Sequence, residues 1–232
     1  MQKPVRKVKS NGRTITGTFA SPKTRKLIQF ESYLEYAFIE ILEFDSQVID
    51  ILDQPIVIEY LHNKKKQLHY PDFLVTYKNR KSVIFEVKYQ SEIDNDEGRI
   101  ARNLKAGKQY AKSINVEYRI ITDKEILGIY SENVDELLKV RDDVPDLSST
   151  TKIIDALARV KESTPNLLLN SIATNENERA KLLRQLRILI FNRRVAVDMF
   201  KKISPDSRIW LNTDNDFIEL NFPYSYVETI KR

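Results

Sequence analysis

Residues 70–88 read Tyr-Pro-Asp-Phe-Leu-Val-Thr-Tyr-Lys-Asn-Arg-Lys-Ser-Val-Ile-Phe-Glu-Val-Lys. Two runs rich in β-branched and aromatic residues, Phe73–Tyr77 and Val83–Val87, flank the polar Lys78-Asn79-Arg80-Lys81. That pattern predicts a β-hairpin. Strand side chains alternate faces, so Glu86 and Lys88 share one, with their Cα atoms about 7 Å apart. A turn centred between Asn79 and Arg80 sets position 72 against position 87. Asp72 then lies within one residue of both Glu86 and Lys88 but on the face of Val87. Bringing all three together requires a bulge or bend near Pro71-Asp72.

Two readings of this spacing stand side by side. Asp72 and Glu86 lie on a wet face with Lys88 as a cross-strand ion partner, or the three form a site. Val83, Ile84, Phe85 and Val87 make the second strand look buried on both faces. A charge pair there is costly unless it is partnered or binds a metal.

Upstream, residues 30–44, FESYLEYAFIEILEF, carry Leu34, Phe38, Ile41 and Leu42 at helical spacing. A helix is expected over 30–43. Glu31 and Glu35 fall on one of its faces. Glu31 and Glu40 read as solvated, whereas Glu35 adjoins the apolar stripe and can point toward the sheet. Carboxylates and an ammonium gathered at a sheet edge suit Mg²⁺ and the activation of water against a phosphodiester.

At this point the chain resembles the N-terminal domain of TnsA, the endonuclease subunit of heteromeric cut-and-paste transposases, within the PD-(D/E)xK restriction-endonuclease-like superfamily. The matching segments are SYLEYAFIEILEFDSQVIDILDQP at 32–55, YPDFLVTY at 70–77, VIFEVKY at 83–89 and YRIITDKEI at 118–126. The resemblance spans about residues 14–130. It implies that Glu35, Asp72, Glu86 and Lys88 are catalytic, and that Glu35, Asp72, Glu86 and the Val87 carbonyl hold Mg²⁺ or Mn²⁺. It also implies nicking of the 5′, non-transferred strands at transposon ends. The implied partners are double-stranded DNA, a TnsB-like DDE transposase and a TnsC-like AAA+ regulator, in a bacterial cytoplasm. A stand-alone restriction or repair nuclease on the same core, and a DNA-binding assembly protein with a degenerate site, are the alternatives.

The chain has 232 residues, 41% apolar and 31% charged, with five glycines and no cysteine. Disulfides and cysteine-ligated zinc are thereby excluded, and a reducing cytoplasm fits. No apolar run is long enough to predict a membrane span, and the basic N-terminus lacks a signal-like apolar core. His62 and His69, the two histidines, make no zinc pattern and read as surface residues. Residues 1–30 hold eight Lys or Arg and no Asp or Glu. This is either a solubilising tail or an arm that grips phosphates. Arg13, Lys23, Arg25 and Lys26 of that arm, the cluster Lys64-Lys65-Lys66 at an expected hairpin tip, and Lys105 are the candidate DNA contacts.

The expected order is an irregular arm or short edge strands over 1–26, then the helix. Strands follow at 56–60, 72–77 and 82–89, a basic helix at 97–113, a strand at 117–122 and a short helix at 135–140. This suits an α/β restriction-endonuclease-like core, a central mixed sheet flanked by helices. The polar, Pro-broken stretch 142–152 predicts a boundary between a nuclease domain, 1–145, and a C-terminal domain, 146–232. Helices over 151–160, 165–172 and 176–191, then strands at 208–212 and 217–222, predict a small mainly helical, winged-helix-like module. Arg179, Arg184, Arg187, Arg193 and Arg194 are either its solvated face or a surface that docks DNA or a protein.

Overall fold

The structure is a computed structural model that describes residues 15–212. Arg13 and the strand expected at 217–222 lie outside the described residues. The chain divides into two compact units, through Leu127 and from Gly128 onward.

The first unit begins with a hairpin, β1 (Gly17–Ser21) and β2 (Lys26–Phe30), where irregular backbone or edge strands were expected. Helix α1 (Tyr33–Phe44) follows, then β3 (Val48–Asp53), the hairpin β4 (Ile58–His62) and β5 (Lys65–His69), β6 (Phe73–Tyr77) and β7 (Val83–Lys88). Short α2 (Gln90–Asp94), α3 (Arg99–Ser113), β8 (Glu117–Thr122) and α4 (Asp123–Ile126) complete it. The central sheet has order β3-β6-β7-β8. β7 and β8 run parallel and the other pairs antiparallel, so the sheet is mixed.

Helix α1 starts where Ser32 accepts a hydrogen bond from the Glu35 N–H, satisfying a first-turn donor. Its apolar stripe packs on one face of the sheet. The Phe38 ring lies 5.0 Å from Phe85 and 6.0 Å from Phe73, and all three are fully buried. The opposite face, through Ile84 and Leu74, packs with Ala111 of α3 and Tyr118 of β8. Burial on both faces explains why β7 is so continuously apolar. Glu40 is buried rather than solvated, as is Glu43, whose carboxylate accepts from Ser21 Oγ at 2.6 Å.

The β6–β7 register differs from the expectation by one residue. Phe73 pairs with Phe85 and Val75 with Val83, so the turn centres on Asn79. Asp72 lies one residue beyond the last pair of this ladder, and its carboxylate meets Lys88 at 3.3 Å. A one-residue slip exchanges faces, and the expected irregularity is also present: Asp72 lies in a bend and its N–H donates to the Phe85 carbonyl at 3.2 Å, one residue out of register. A further irregularity in this sheet lies in β3, between Val48 and Asp50.

The second unit comprises α5 (Ile129–Leu138), α6 (Leu147–Val160), β9 (Glu162–Ser163), α7 (Pro165–Ile172), α8 (Glu176–Phe191), β10 (Val195–Val197) and β11 (Ile209–Leu211). Its antiparallel sheet has order β10-β11-β9. Asp146, Thr164 and Asn175 each cap a helix by accepting from the N–H three residues on. Ile153, Leu157, Leu168, Leu182, Leu186 and Leu189 form the core. Asn133 ties α5 into this unit: its amide donates to the Met199 and Lys201 carbonyls, both at 2.9 Å, and accepts from the Ile203 N–H at 3.1 Å.

Candidate active site

The start of β6 and the end of β7 bring Asp72, Glu86 and Lys88 together. Lys88 Nζ lies 3.3 Å from Asp72 Oδ2, 3.0 Å from Glu86 Oε1 and 3.0 Å from the Val87 carbonyl oxygen. Asp72 Oδ2 also accepts from the Val87 N–H at 2.7 Å. One side-chain ammonium thus gathers the two strand carboxylates and the carbonyl between Glu86 and Lys88.

Glu35 sits in the first turn of α1, where Oε2 accepts from the Glu31 N–H at 2.7 Å and Oε1 from Ser32 Oγ at 3.2 Å. It is in electrostatic reach of both Lys88 and Asp72. Glu31 is turned to Gln54, accepting from its side-chain nitrogen at 2.9 Å. Of Glu31, which lies ahead of the helix cap, and Glu35, it is therefore Glu35 that stands beside the strand cluster, with its oxygens held by the helix start.

The charges inside this cluster are unequal. Burial pushes the Asp72 carboxyl well above its ordinary range, and the nearby Glu86 charge adds to it. Burial also raises Glu35, against the Glu31 N–H and the Lys88 charge. Burial works the same way on Glu86, but a hydrogen bond from His69 and the Lys88 charge outweigh it and hold that carboxyl low. Burial alone would lower Lys88; the Asp72 and Glu86 carboxylates raise it well above the usual lysine value. Lys88 is a fixed cation at neutral pH.

Two residues at this site escape a reading of the sequence. His69 is buried, not a surface residue. Its Nε2 lies 2.9 Å from Tyr118 Oη and 3.3 Å from Glu86 Oε2, while the Tyr118 hydroxyl donates to the same Oε2 at 3.2 Å. Burial and the Glu86 charge keep that phenol protonated. The one available signal is the place of His69 three residues before Asp72, at the end of a strand that is otherwise largely exposed. His62 is half-buried on the partner strand.

The candidate DNA contacts separate into two sets. Lys23 donates to the Leu42 carbonyl at 2.8 Å and to the Asp45 carbonyl, tying the β1–β2 turn to the end of α1. Lys26 bonds both Asp50 oxygens, at 2.7 and 2.8 Å. Arg25, Lys64, Lys65, Lys66 and Lys105 are exposed, with Lys66 paired to Glu59 at 2.7 Å. In the second unit Arg184 pairs with Asp143, Lys181 with Asp146 and Lys152 with Glu178, so part of the positive charge on α6 and α8 is neutralised internally.

Among the described residues, no three His, Asp or Glu side chains are already gathered as a metal cage. Both Glu35 oxygens serve the helix start. The donor chemistry nevertheless fits a hard divalent cation: two carboxylates and a main-chain carbonyl converge on one positive charge. No helix is long and apolar enough to cross a membrane among the described residues. No curated protein matches the chain. Residues 45–123, from the end of α1 through β8, match the family model for the TnsA-like endonuclease N-terminal domain. Residues 45–123 of the first unit are therefore similar to a TnsA-like endonuclease N-terminal domain.

Proposed function

We propose that the chain is the metal-dependent endonuclease subunit of a heteromeric transposase and nicks the 5′, non-transferred strands at transposon ends. The observation that carries this reading is the convergence of Asp72, Glu86 and the Val87 carbonyl on Lys88 at one end of the two central strands of the sheet, within the residues that match the TnsA-like model.

Asp72, Glu86 and the Val87 carbonyl would hold Mg²⁺ or Mn²⁺, with Glu35 completing the oxygen set. When bound, such an ion supplies hydroxide near neutral pH and offsets charge on the leaving oxygen. The protein's own groups do the rest. Lys88 stays protonated between its two carboxylates, so it acts as a charge rather than a base, stabilising the negative charge that develops on the phosphate. The Val87 N–H fixes Asp72 Oδ2, limiting the rotation of that carboxylate. The buried aromatic packing of Phe38, Phe73 and Phe85 holds the two strands in the register that aligns the three side chains. Arg25, Lys64, Lys65, Lys66 and Lys105 supply sequence-independent phosphate contacts; Lys23 and Lys26 serve the fold first.

In the second unit the order α6-β9-α7-α8-β10-β11, with β11 between β9 and β10, supports a winged-helix-like module. Its internal ion pairs favour docking to a protein partner, a TnsB-like DDE transposase or a TnsC-like AAA+ regulator. Such a subunit depends on those partners for its choice of site.

The test incubates labelled transposon-end DNA with Mg²⁺, the chain and its neighbouring transposase, comparing wild type, Asp72→Ala and Lys88→Ala. Nicks at the 5′ ends that require Asp72 and slow without Lys88 support the proposal. Equal 5′ nicking by all three chains overturns it. Site-preferring cuts without any transposase would assign the chain to the restriction or repair nucleases.

A further inference from the structure

Glu86 is the most enclosed carboxylate of the site, and only one of its oxygens faces Lys88. The other, Oε2, meets His69 from β5 and Tyr118 from β8, two elements that come from different sheets. We propose that His69 and Tyr118 are positioning residues: together they hold Oε2 of Glu86 so that Oε1 stays turned toward Lys88, Asp72 and the cation. This inference rests on the metal-dependent reading above.

Three observations support a built arrangement. First, the hydrogen inventory closes. The Tyr118 hydroxyl has one hydrogen, and it goes to Oε2. An N–H on His69 Nε2 supplies the second, shared between Tyr118 Oη and Oε2. Second, space has been cleared for the phenol. A Cβ on Gly107 of α3 would lie 2.3 Å from the Tyr118 ring and 2.8 Å from its hydroxyl, so an ordinary side chain there displaces the donor. Third, the hairpin that carries His69 is tied to the same helix, because the Tyr60 hydroxyl on β4 donates to Asn103 at 2.7 Å. Partners that orient a metal-holding carboxylate typically change metal affinity about 10- to 100-fold when removed.

The experiment titrates Mn²⁺ calorimetrically into the full chain, with thermal melts run on every variant. Wild type binds Mn²⁺ and Asp72→Ala does not. Tyr118→Phe and His69→Ala bind about 10- to 100-fold more weakly. His69→Gln, which places an amide N–H near the Nε2 position, recovers most of that loss. Gly107→Ala, by pushing the Tyr118 ring, weakens binding in the same direction. If His69→Ala fails to fold, Tyr118→Phe and the His69→Gln comparison with wild type decide the matter. Wild-type Mn²⁺ affinity in folded Tyr118→Phe and His69→Ala overturns the positioning role while leaving the metal reading intact. Equal absence of binding in wild type and Asp72→Ala overturns the metal reading, and this inference with it.

Discussion

Replacing Lys88 by Met tests what holds the strand carboxylates together. Methionine keeps the unbranched apolar stem and removes the charge. The Lys88 ammonium touches Asp72, Glu86 and the Val87 carbonyl within 3.3 Å. The Glu86 side chain is 4% exposed and that of Asp72 is 16% exposed. Breaking a buried pair by deleting one partner costs about 3–5 kcal/mol. Two effects reduce the loss here. The Lys88 side chain is itself 23% exposed, and Asp72, whose carboxyl is already pushed upward, can take a proton. The expected loss in chelator is about 2 kcal/mol, on the order of 10 °C in the melting of the first unit. Mg²⁺ should stabilise Lys88→Met more than wild type, because a cation that binds only the folded chain replaces the missing charge. Scanning calorimetry with and without chelator measures both effects. A variant that melts with wild type in chelator would mean that the ammonium is not what holds Asp72 and Glu86 together.

Further outcomes follow from other parts of the molecule. Phe85→Ala removes a fully buried ring that packs on Phe38 and should cost about 3–5 kcal/mol, read from urea unfolding. Ser32→Ala deletes the α1 cap and the partner of Glu35 Oε1; about 1 kcal/mol of stability should be lost in the same assay. The Asp146 carboxyl is held at about 2, chiefly by hydrogen bonds from Ser149 and then by Lys181. A depressed carboxyl stabilises the fold above its unfolded value of about 3.9 and stops doing so as pH falls through its folded value. The second unit should therefore lose stability between about pH 4 and 2, and Asp146→Ala should flatten that part of a melting-versus-pH profile. Replacing Arg25, Lys64 and Lys65 by Ala should lower nonspecific DNA affinity. The log–log salt dependence, measured by fluorescence anisotropy, should become shallower by about 0.9 for each phosphate no longer neutralised.

The long elements can be read from sequence because their periodicity is strong. The helices at 165–172 and 176–191 stand where their apolar spacing puts them. The convergence of Asp72, Glu86 and Lys88 can be read as well, although the turn centre cannot. Hairpin register depends on the turn, and Lys78–Lys81 holds no Gly or Asn-Gly pair to fix its centre. The turn centre therefore shifts by one residue, while the bend expected near Pro71-Asp72 stands. His69 is hidden because its partners Tyr118 and Glu86 lie 49 and 17 positions away; its burial is a tertiary fact with almost no local sign. Lys23 and Lys26 show a related ambiguity. A basic run looks alike whether its charges face phosphates or tie a hairpin to a helix, and here the Leu42 and Asp45 carbonyls and the Asp50 carboxylate claim them. The helix beginning at Leu147 is masked by the polar Asp146-Leu-Ser-Ser-Thr-Thr, which reads as linker but serves as a capped first turn.

Anomalous diffraction from crystals of the chain soaked in Mn²⁺ decides whether these groups hold a cation. The expected map has a peak touching the Asp72 and Glu86 carboxylates and the Val87 carbonyl, with the Lys88 ammonium displaced to its side. Manganese bound only elsewhere, with Lys88 still bridging both carboxylates, would contradict the metal-dependent reading.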